Sequence, residues 1–261
     1  SGGRAGERPG VIRFERDQAA SYDASRDLLP ETRNVWVDAV RKYLPAGGPP
    51  RIIDIGSGTG RFTEVFASHL AAEVLGVEPA VEMRRIAEIK RPSVRIRYLA
   101  GSAEHLPVTD ERFDLAWLSM VIHHVEDRKA CAAEAARVLS PNGVAIVRNS
   151  FRGRLAGFEF YDFFTGSREL DEARLPSIEQ VREDFASAGF SFVTVDSVRQ
   201  VFAADFRSFA EKMRSRGCSS LRLLSDEEFR KGLARIDEIV KSGARSGPMT
   251  ESIDMLVFRK N

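Results

Sequence analysis

A doubly wound, mostly parallel α/β sheet is the fold class this chain predicts, and three observations predict it. Short apolar runs alternate with stretches of helical spacing, the pattern that places helices on both faces of a parallel sheet. One run, Arg51-Ile52-Ile53-Asp54-Ile55, passes straight into Gly56-Ser57-Gly58-Thr59-Gly60 and then into a helix opening near Arg61. At 261 residues the chain is long enough to bury one full core.

Each element has its own signal. Trp36, Val40 and Leu44 share one face of a helix that Pro45 ends. After the glycine turn, Phe62, Val65, Phe66 and Leu70 repeat at helical spacing. Val74-Leu75-Gly76-Val77-Glu78-Pro79 is an apolar strand ending in an acid, with Met83 on the helix beyond. A third strand over 94–99 runs into Gly101-Ser102-Ala103-Glu104-His105-Leu106-Pro107. The stretch from Phe113 to Val125 holds a fourth strand and the loop beyond it, which carries His123 and His124. The turn Leu139-Ser140-Pro141-Asn142-Gly143 opens a fifth over 144–147.

Ser177 and Gln180 form a capping box for a helix carrying Ile178, Val181 and Phe185, which stops near Gly189 before a strand over 190–195. The last strand is expected over 253–258. Two helices lie between these strands, over 204–216 and, after a box at Ser225 and Glu228, over 226–242. An insertion this long in a compact domain calls for a task. A cap over a substrate mouth and a dimerisation arm both answer it.

Glycine lets a ligand approach the backbone closely, and the free N–H groups of a new helix favour negative charge. The turn at 56–60 therefore suits the carboxylate or phosphate end of a nucleotide-like cofactor. A dinucleotide fingerprint would place its third glycine at position 61, where Arg61 stands. Instead Gly56, Gly58 and Gly60 alternate, with Asp54 two residues ahead. This D-x-G-x-G-x-G form resembles the first motif of class I S-adenosylmethionine-dependent methyltransferases, in their small-molecule UbiE-like (methyltransferase type 11) group. The segments at Glu78, Ser102 and the fourth strand follow in the family's order, so the resemblance covers about residues 31–150.

The resemblance implies a Rossmann-like sheet of seven strands; family members usually join the last two by a short hairpin, so the helical cap inserted over 198–250 before the last strand is a departure from the family. It implies S-adenosyl-L-methionine as cofactor, cradled by Asp54, Gly56, Ser57, Gly58 and Gly60. Glu78, followed by Pro79, would accept from both ribose hydroxyls; Met83, Ser102 and Ala103 would meet the adenine, and Ser119 would line the site. Relatives commonly carry an acid at the position of Ser102, and a serine accepts more weakly. The family also implies an N-terminal lid over 1–30, in which Tyr22 is a candidate to close the site or donate to an acceptor oxygen.

For catalysis His123 and His124 stand at the carboxyl edge of the sheet, where ligands bind. An unperturbed imidazole titrates near pH 6.5 and suits a base; a structural hydrogen-bonding role is the alternative, and neither histidine is preferred. Phe158-Glu159-Phe160-Tyr161-Asp162-Phe163-Phe164 puts five aromatics in seven residues, too many for one helical face. Phe158, Tyr161 and Phe164, with Asn149 upstream, are therefore expected to line the substrate pocket in an aromatic lid over 151–175. An aromatic cluster seating a helix is the other reading, and Glu159 and Asp162 are spare candidates for a base. Among the cap residues Arg207, Lys212, Arg214, Arg216 and Arg222, a few turned inward would hold an acidic or phosphorylated substrate.

A net charge of +1 implies no broad attraction to nucleic acid or membrane. No apolar run reaches the ~18–20 residues needed to span a bilayer, and no signal peptide is visible. Cys131 and Cys218 lack metal-ligand spacing, so no metal is expected and a reduced, cytoplasmic protein is the simplest reading. The expected activity is methyl transfer to a small, fairly apolar metabolite in bacterial secondary metabolism, O-methylation favoured and N- or C-methylation open. The small-molecule substrate is the expected partner, with a homodimer possible. The alternatives are an RNA or protein methyltransferase, and a non-catalytic S-adenosylmethionine-binding scaffold.

Overall fold

The computed structural model describes residues 28–90 and 93–261; Tyr22 and nearly all of the expected lid lie outside them. The first described helix, α1 (Pro30–Arg41), buries Trp36, Val37 and Val40. It ends before Leu44, where Tyr43 and Leu44 donate back to Val40 and Arg41. Then β1 (Arg51–Ile55), α2 (Arg61–His69), β2 (Glu73–Val77), α3 (Val81–Lys90), β3 (Ile96–Leu99) and β4 (Phe113–Ser119) alternate. After β4 come α4 (Arg128–Val138) and β5 (Leu139–Asn149).

The seven strands form one sheet in the order β3-β2-β1-β4-β5-β7-β6, where β6 is Phe190–Ala203 and β7 is Met249–Lys260. All pairs up to β5 are parallel, and β7 runs antiparallel between β5 and β6. Successive residues point to opposite faces, so the central strands build two cores. Ile52, Leu115, Trp117 and Ile146 join one with α1 and α2. Ile53, Ala116, Leu118 and Val147 join the other, which takes in α4 and α7 (Ile178–Ser187). Strand order reverses between β1 and β4, the switch point beside which open α/β sheets bind ligands.

Both capping boxes form, Ser177 with Gln180 and Ser225 with Glu228. The cap between β6 and β7 holds α8 (Phe206–Arg214), α9 (Ser219–Leu223) and α10 (Asp226–Ser242), so it has one short helix more than its spacing predicts. Both flanking strands are longer than expected, with Ala203 opposite Met249 at the cap end. The aromatic segment folds as α5 (Phe160–Phe163) and α6 (Ser167–Arg174). Phe164 is fully buried, stacked on Phe229 at 5.5 Å. Gly232 of α10 makes this fit possible, because a Cβ there would stand 2.2 Å from the Phe164 ring. Among the described residues no helix is long and apolar enough to cross a membrane.

Candidate active site

Where β1 ends, the N–H groups of Gly56 and Ser57 both donate to the Val77 carbonyl, at 2.8 and 3.1 Å, clamping the turn to β2. Gly60 adopts φ 82°, and a Cβ there would lie 2.1 Å from Tyr98 Oη, so only glycine fits. Gly58 differs, since a Cβ on it would meet nothing within 4 Å. The loop is thus tight underneath and open outside.

Glu78 faces that open side from the end of β2. Its Oε2 accepts from the Gly58 N–H at 2.9 Å and its Oε1 from the Ala80 N–H at 2.8 Å. Desolvation raises its pKa against the pull of these donors and of Arg84. Each oxygen keeps acceptor capacity, so the carboxylate can take the two hydroxyls of a ribose. Buried Ser57 Oγ and Thr59 Oγ1 have no hydrogen-bond partner among the described residues. An open cradle, an acid at its rim and unsatisfied hydroxyls fit a nucleoside cofactor.

Asp54 reaches the loop through a neighbour: its buried Oδ2 accepts from Thr63 Oγ1 at 2.6 Å, tying β1 to the first turn of α2. Desolvation pushes its pKa up to about 7, with the Glu78 charge adding to it. The folded value exceeds the unfolded one, so the native state holds this proton more tightly. The stability it contributes is complete below about pH 4 and lost as pH rises through 7. Asp54→Asn, which keeps an acceptor for Thr63, is therefore expected to gain on the wild type between pH 5 and pH 8, by up to ~2.5 kcal/mol, nearly all of it below about pH 7. Urea unfolding at both pH values checks it; parallel curves for the two proteins would remove the assignment.

Met83 is buried on α3, Ala103 is buried after β3, and half-buried Ser102 bridges to His105 there. Pro79 is exposed beside Glu78. Ser119, at the end of β4, accepts from Arg148 Nη1 at 3.2 Å. Sequence reasoning missed Arg148. It is 4% exposed on β5, lies 4.5 Å over the Trp36 ring and donates through Nη2 to Gln200 Oε1. Gln200 in turn accepts from Trp36 and donates to Glu251. A charged residue closing the apolar run 144–147 was the available signal.

His123 sits in a single 3-10 turn after β4, beyond Met120, a non-glycine residue held at φ 55°. Its Nδ1 lies 2.9 Å from Asn149 Oδ1, and Asn149 Nδ2 donates to the Ser150 carbonyl at 2.6 Å. The asparagine amide is thus oriented with its oxygen toward the ring. The network assigns the proton to Nδ1 and makes Nε2 the basic nitrogen. Asn149 is fully buried, and its contact is with the His123 ring, not with the cavity.

The cavity at this edge is bounded by His123, Met120, Arg148, Phe158, Phe160 and Tyr161, among others. Phe158 and Tyr161 line this cavity, while Phe164 packs the core of the cap. Tyr161 donates to Asp171 Oδ2 at 2.7 Å, and burial with the Asp171 charge raises its pKa. His124 lies outside, in a groove with Glu126, Arg174 and Arg222. Desolvation, then the two arginine charges, lower its pKa to about 4. The residue is exposed, so water tempers the first of these causes. Glu159 pairs with Arg245 and Asp162 is exposed, and neither lines the cavity. Of the cap cations Lys212 turns into the cavity, Arg222 faces the groove, Arg214 pairs with Asp237, Arg216 pairs with Asp226, and Arg207 is exposed.

A family model described as a methyltransferase domain matches residues 53–147, the span from β1 into β5. The ubiquinone/menaquinone biosynthesis C-methyltransferase UbiE of Dinoroseobacter shibae is 33% identical over 200 residues, 67% of this chain and 80% of that protein. A demethylmenaquinone methyltransferase of Renibacterium salmoninarum is 31% identical over 133 residues; the match spans 50% of this chain and about half, 54%, of that relative. Among solved structures, that of the cyclase SpnF is similar with a TM-score of 0.61 at 23% identity, over 90% of this chain and 84% of that one, a likeness of fold alone. Strand order, the glycine turn, the acid at the end of β2 and these relatives converge, and the chain belongs to the class I S-adenosylmethionine-dependent methyltransferases of the UbiE-like group, with S-adenosylmethionine as cofactor.

Proposed function

We propose that the enzyme methylates an oxygen of a small metabolite with an aromatic or apolar body, with His123 as the base. The observation that carries this reading is the chain Ser150–Asn149–His123, which makes Nε2 the basic nitrogen of a ring lining the cavity. Phe158, Phe160 and Tyr161 supply a wall against which a flat apolar body packs. The bound cofactor supplies an electrophilic methyl group on a sulfonium. The protein aligns the acceptor, a contribution that reaches ~7–11 kcal/mol, and excludes water. His123 removes the acceptor proton as the hydroxyl attacks, while Asn149 keeps the ring oriented.

An acidic carbon would need the same base, so C-methylation is the second reading, favoured by the name of the UbiE relative. Quinone-like phenols are the first acceptors to try, and a bacterial secondary pathway is the setting we favour. Cys131 and Cys218 are buried free thiols, in keeping with a reduced, cytoplasmic setting. Cap residues line the cavity, so the insertion has a task without dimerisation.

A labelled methyl donor offered with hydroxyquinones, simple phenols, their O-blocked ethers and bulk tRNA tests the proposal. Label is expected on the hydroxyl acceptors and absent from the blocked ethers. Label in the rings of blocked compounds would establish carbon methylation, label in tRNA the nucleic-acid reading. Cofactor binding with no label in any of them would favour a scaffold.

A further inference from the structure

We infer that the acceptor carries an anionic group, a carboxylate or phosphate, seated against Arg174 and the cap serines Ser219 and Ser220. The inference rests on the acceptor site proposed above and names the class of molecule it takes. Among the described residues four cationic side chains line the cavity, Arg61, Arg148, Arg174 and Lys212, and two carboxylates, Asp171 and Glu251. Both carboxylates already accept from the protein, Asp171 from Tyr161 and Arg174, and Glu251 from Gln200. Of these side chains Arg174 is bonded to a cap serine, Ser219, and a guanidinium in that place favours an anion.

Arg174 is preset for that role. Asp171 Oδ1 accepts from its Nε at 2.7 Å, and Tyr161 holds Asp171 from the other side at 2.7 Å. Nη2 donates to Ser219 Oγ at 2.5 Å, which leaves the serine hydrogen available to donate onward. The arginine side chain stays 25% exposed and lines both the cavity and the groove beside His123. A guanidinium clamped on one edge and accessible elsewhere is organised for a planar carboxylate or a phosphate.

Ser220 is the independent observation. It lines the same cavity, is 1% exposed, and its Oγ is buried with no hydrogen-bond partner among the described residues. A buried hydroxyl left unsatisfied costs stability, and native proteins seldom carry one without a reason. An anion beside Arg174 would accept from the Ser219 and Ser220 hydroxyls, and so satisfy it. The two serines ride on α9 of the cap, which packs against α6, the helix that carries Arg174.

The test uses the full chain saturated with S-adenosylhomocysteine, titrated calorimetrically with benzoate, phenyl phosphate and benzamide. At least one anion is expected to bind about tenfold or more tighter than the neutral amide. Benzoate ahead of phenyl phosphate identifies the group as a carboxylate, the reverse order as a phosphate. Ser220→Ala and Arg174→Gln are each expected to erase most of that preference. Ser220→Ala should also melt, ligand-free, at the wild-type temperature or above it, because it removes an unsatisfied hydroxyl. Equal affinity for acid and amide, or a preference that survives Ser220→Ala, overturns the inference. Loss of S-adenosylhomocysteine binding in the same cell would instead indict the methyltransferase site. A charge preference in a protein that methylates no acidic acceptor would leave the subsite standing and sink the proposed reaction.

Discussion

Glu78→Ala is expected to weaken S-adenosylmethionine binding about 100-fold or more while the sheet stays folded. The carboxylate stands at the rim of the glycine cradle, and each hydrogen bond to a charged acceptor is worth about 1.5–3 kcal/mol. Two ribose hydroxyls therefore account for a loss of that size. The substitution also strips an acceptor from the N–H groups of Gly58 and Ala80, which loosens the loop and adds to the effect. Glu78→Gln should fall between, since its amide oxygen serves one N–H while its NH2 group faces the other. Calorimetric titration with S-adenosylhomocysteine measures all three proteins. An alanine variant within threefold of wild type would take the ribose role away from Glu78.

His123→Ala is expected to lower kcat by about 10²–10⁴-fold on a hydroxyl acceptor, with cofactor affinity unchanged. The acid limb of the pH–rate profile should disappear with the ring that causes it. Asn149→Ala should act in the same direction and more weakly, roughly tenfold, because it frees the tautomer without removing the base. His124→Ala is the contrast. That ring lies outside the cavity wall, 4.0 Å from the His123 ring, and is held neutral, so kcat should stay near the wild-type value. Steady-state kinetics across pH 5–9 decide between the two histidines. Full activity in His123→Ala would show that the acceptor proton leaves by another route.

Local chemistry made most of the cofactor half legible. Alternating glycines that clear Tyr98 and Val121, an acid closing β2, and capping boxes at Ser177 and Ser225 act over a few residues, so they leave their mark in the sequence. The acceptor half depends on long-range meetings that no spacing announces. Arg148 and Gln200 are 52 positions apart and join through one bond, while Arg174 meets Ser219 across 45. The aromatic run 158–164 is too dense for one helical face. Which rings turn into the cavity was decided elsewhere, by the space that Gly232 leaves for Phe164. In the same way β6 reads as a strand only to Val195, because its remaining residues are half polar; the ladder to β7 carries it on to Ala203.

Ala203 faces Met249 across β6 and β7, so the cap departs from the sheet and rejoins it at one rung of the ladder. Backbone pairing holds its two ends together whatever lies between them, and lengthening such a segment adds only slowly to its closure cost. Lys212, Ser219 and Ser220 all belong to this segment, whereas Asp54, the glycine turn and Glu78 belong to the first two strands and their turns. Descendants of this fold can therefore trade one contiguous stretch of gene and acquire a new taste in acceptors, with the machinery that holds the methyl donor inherited intact.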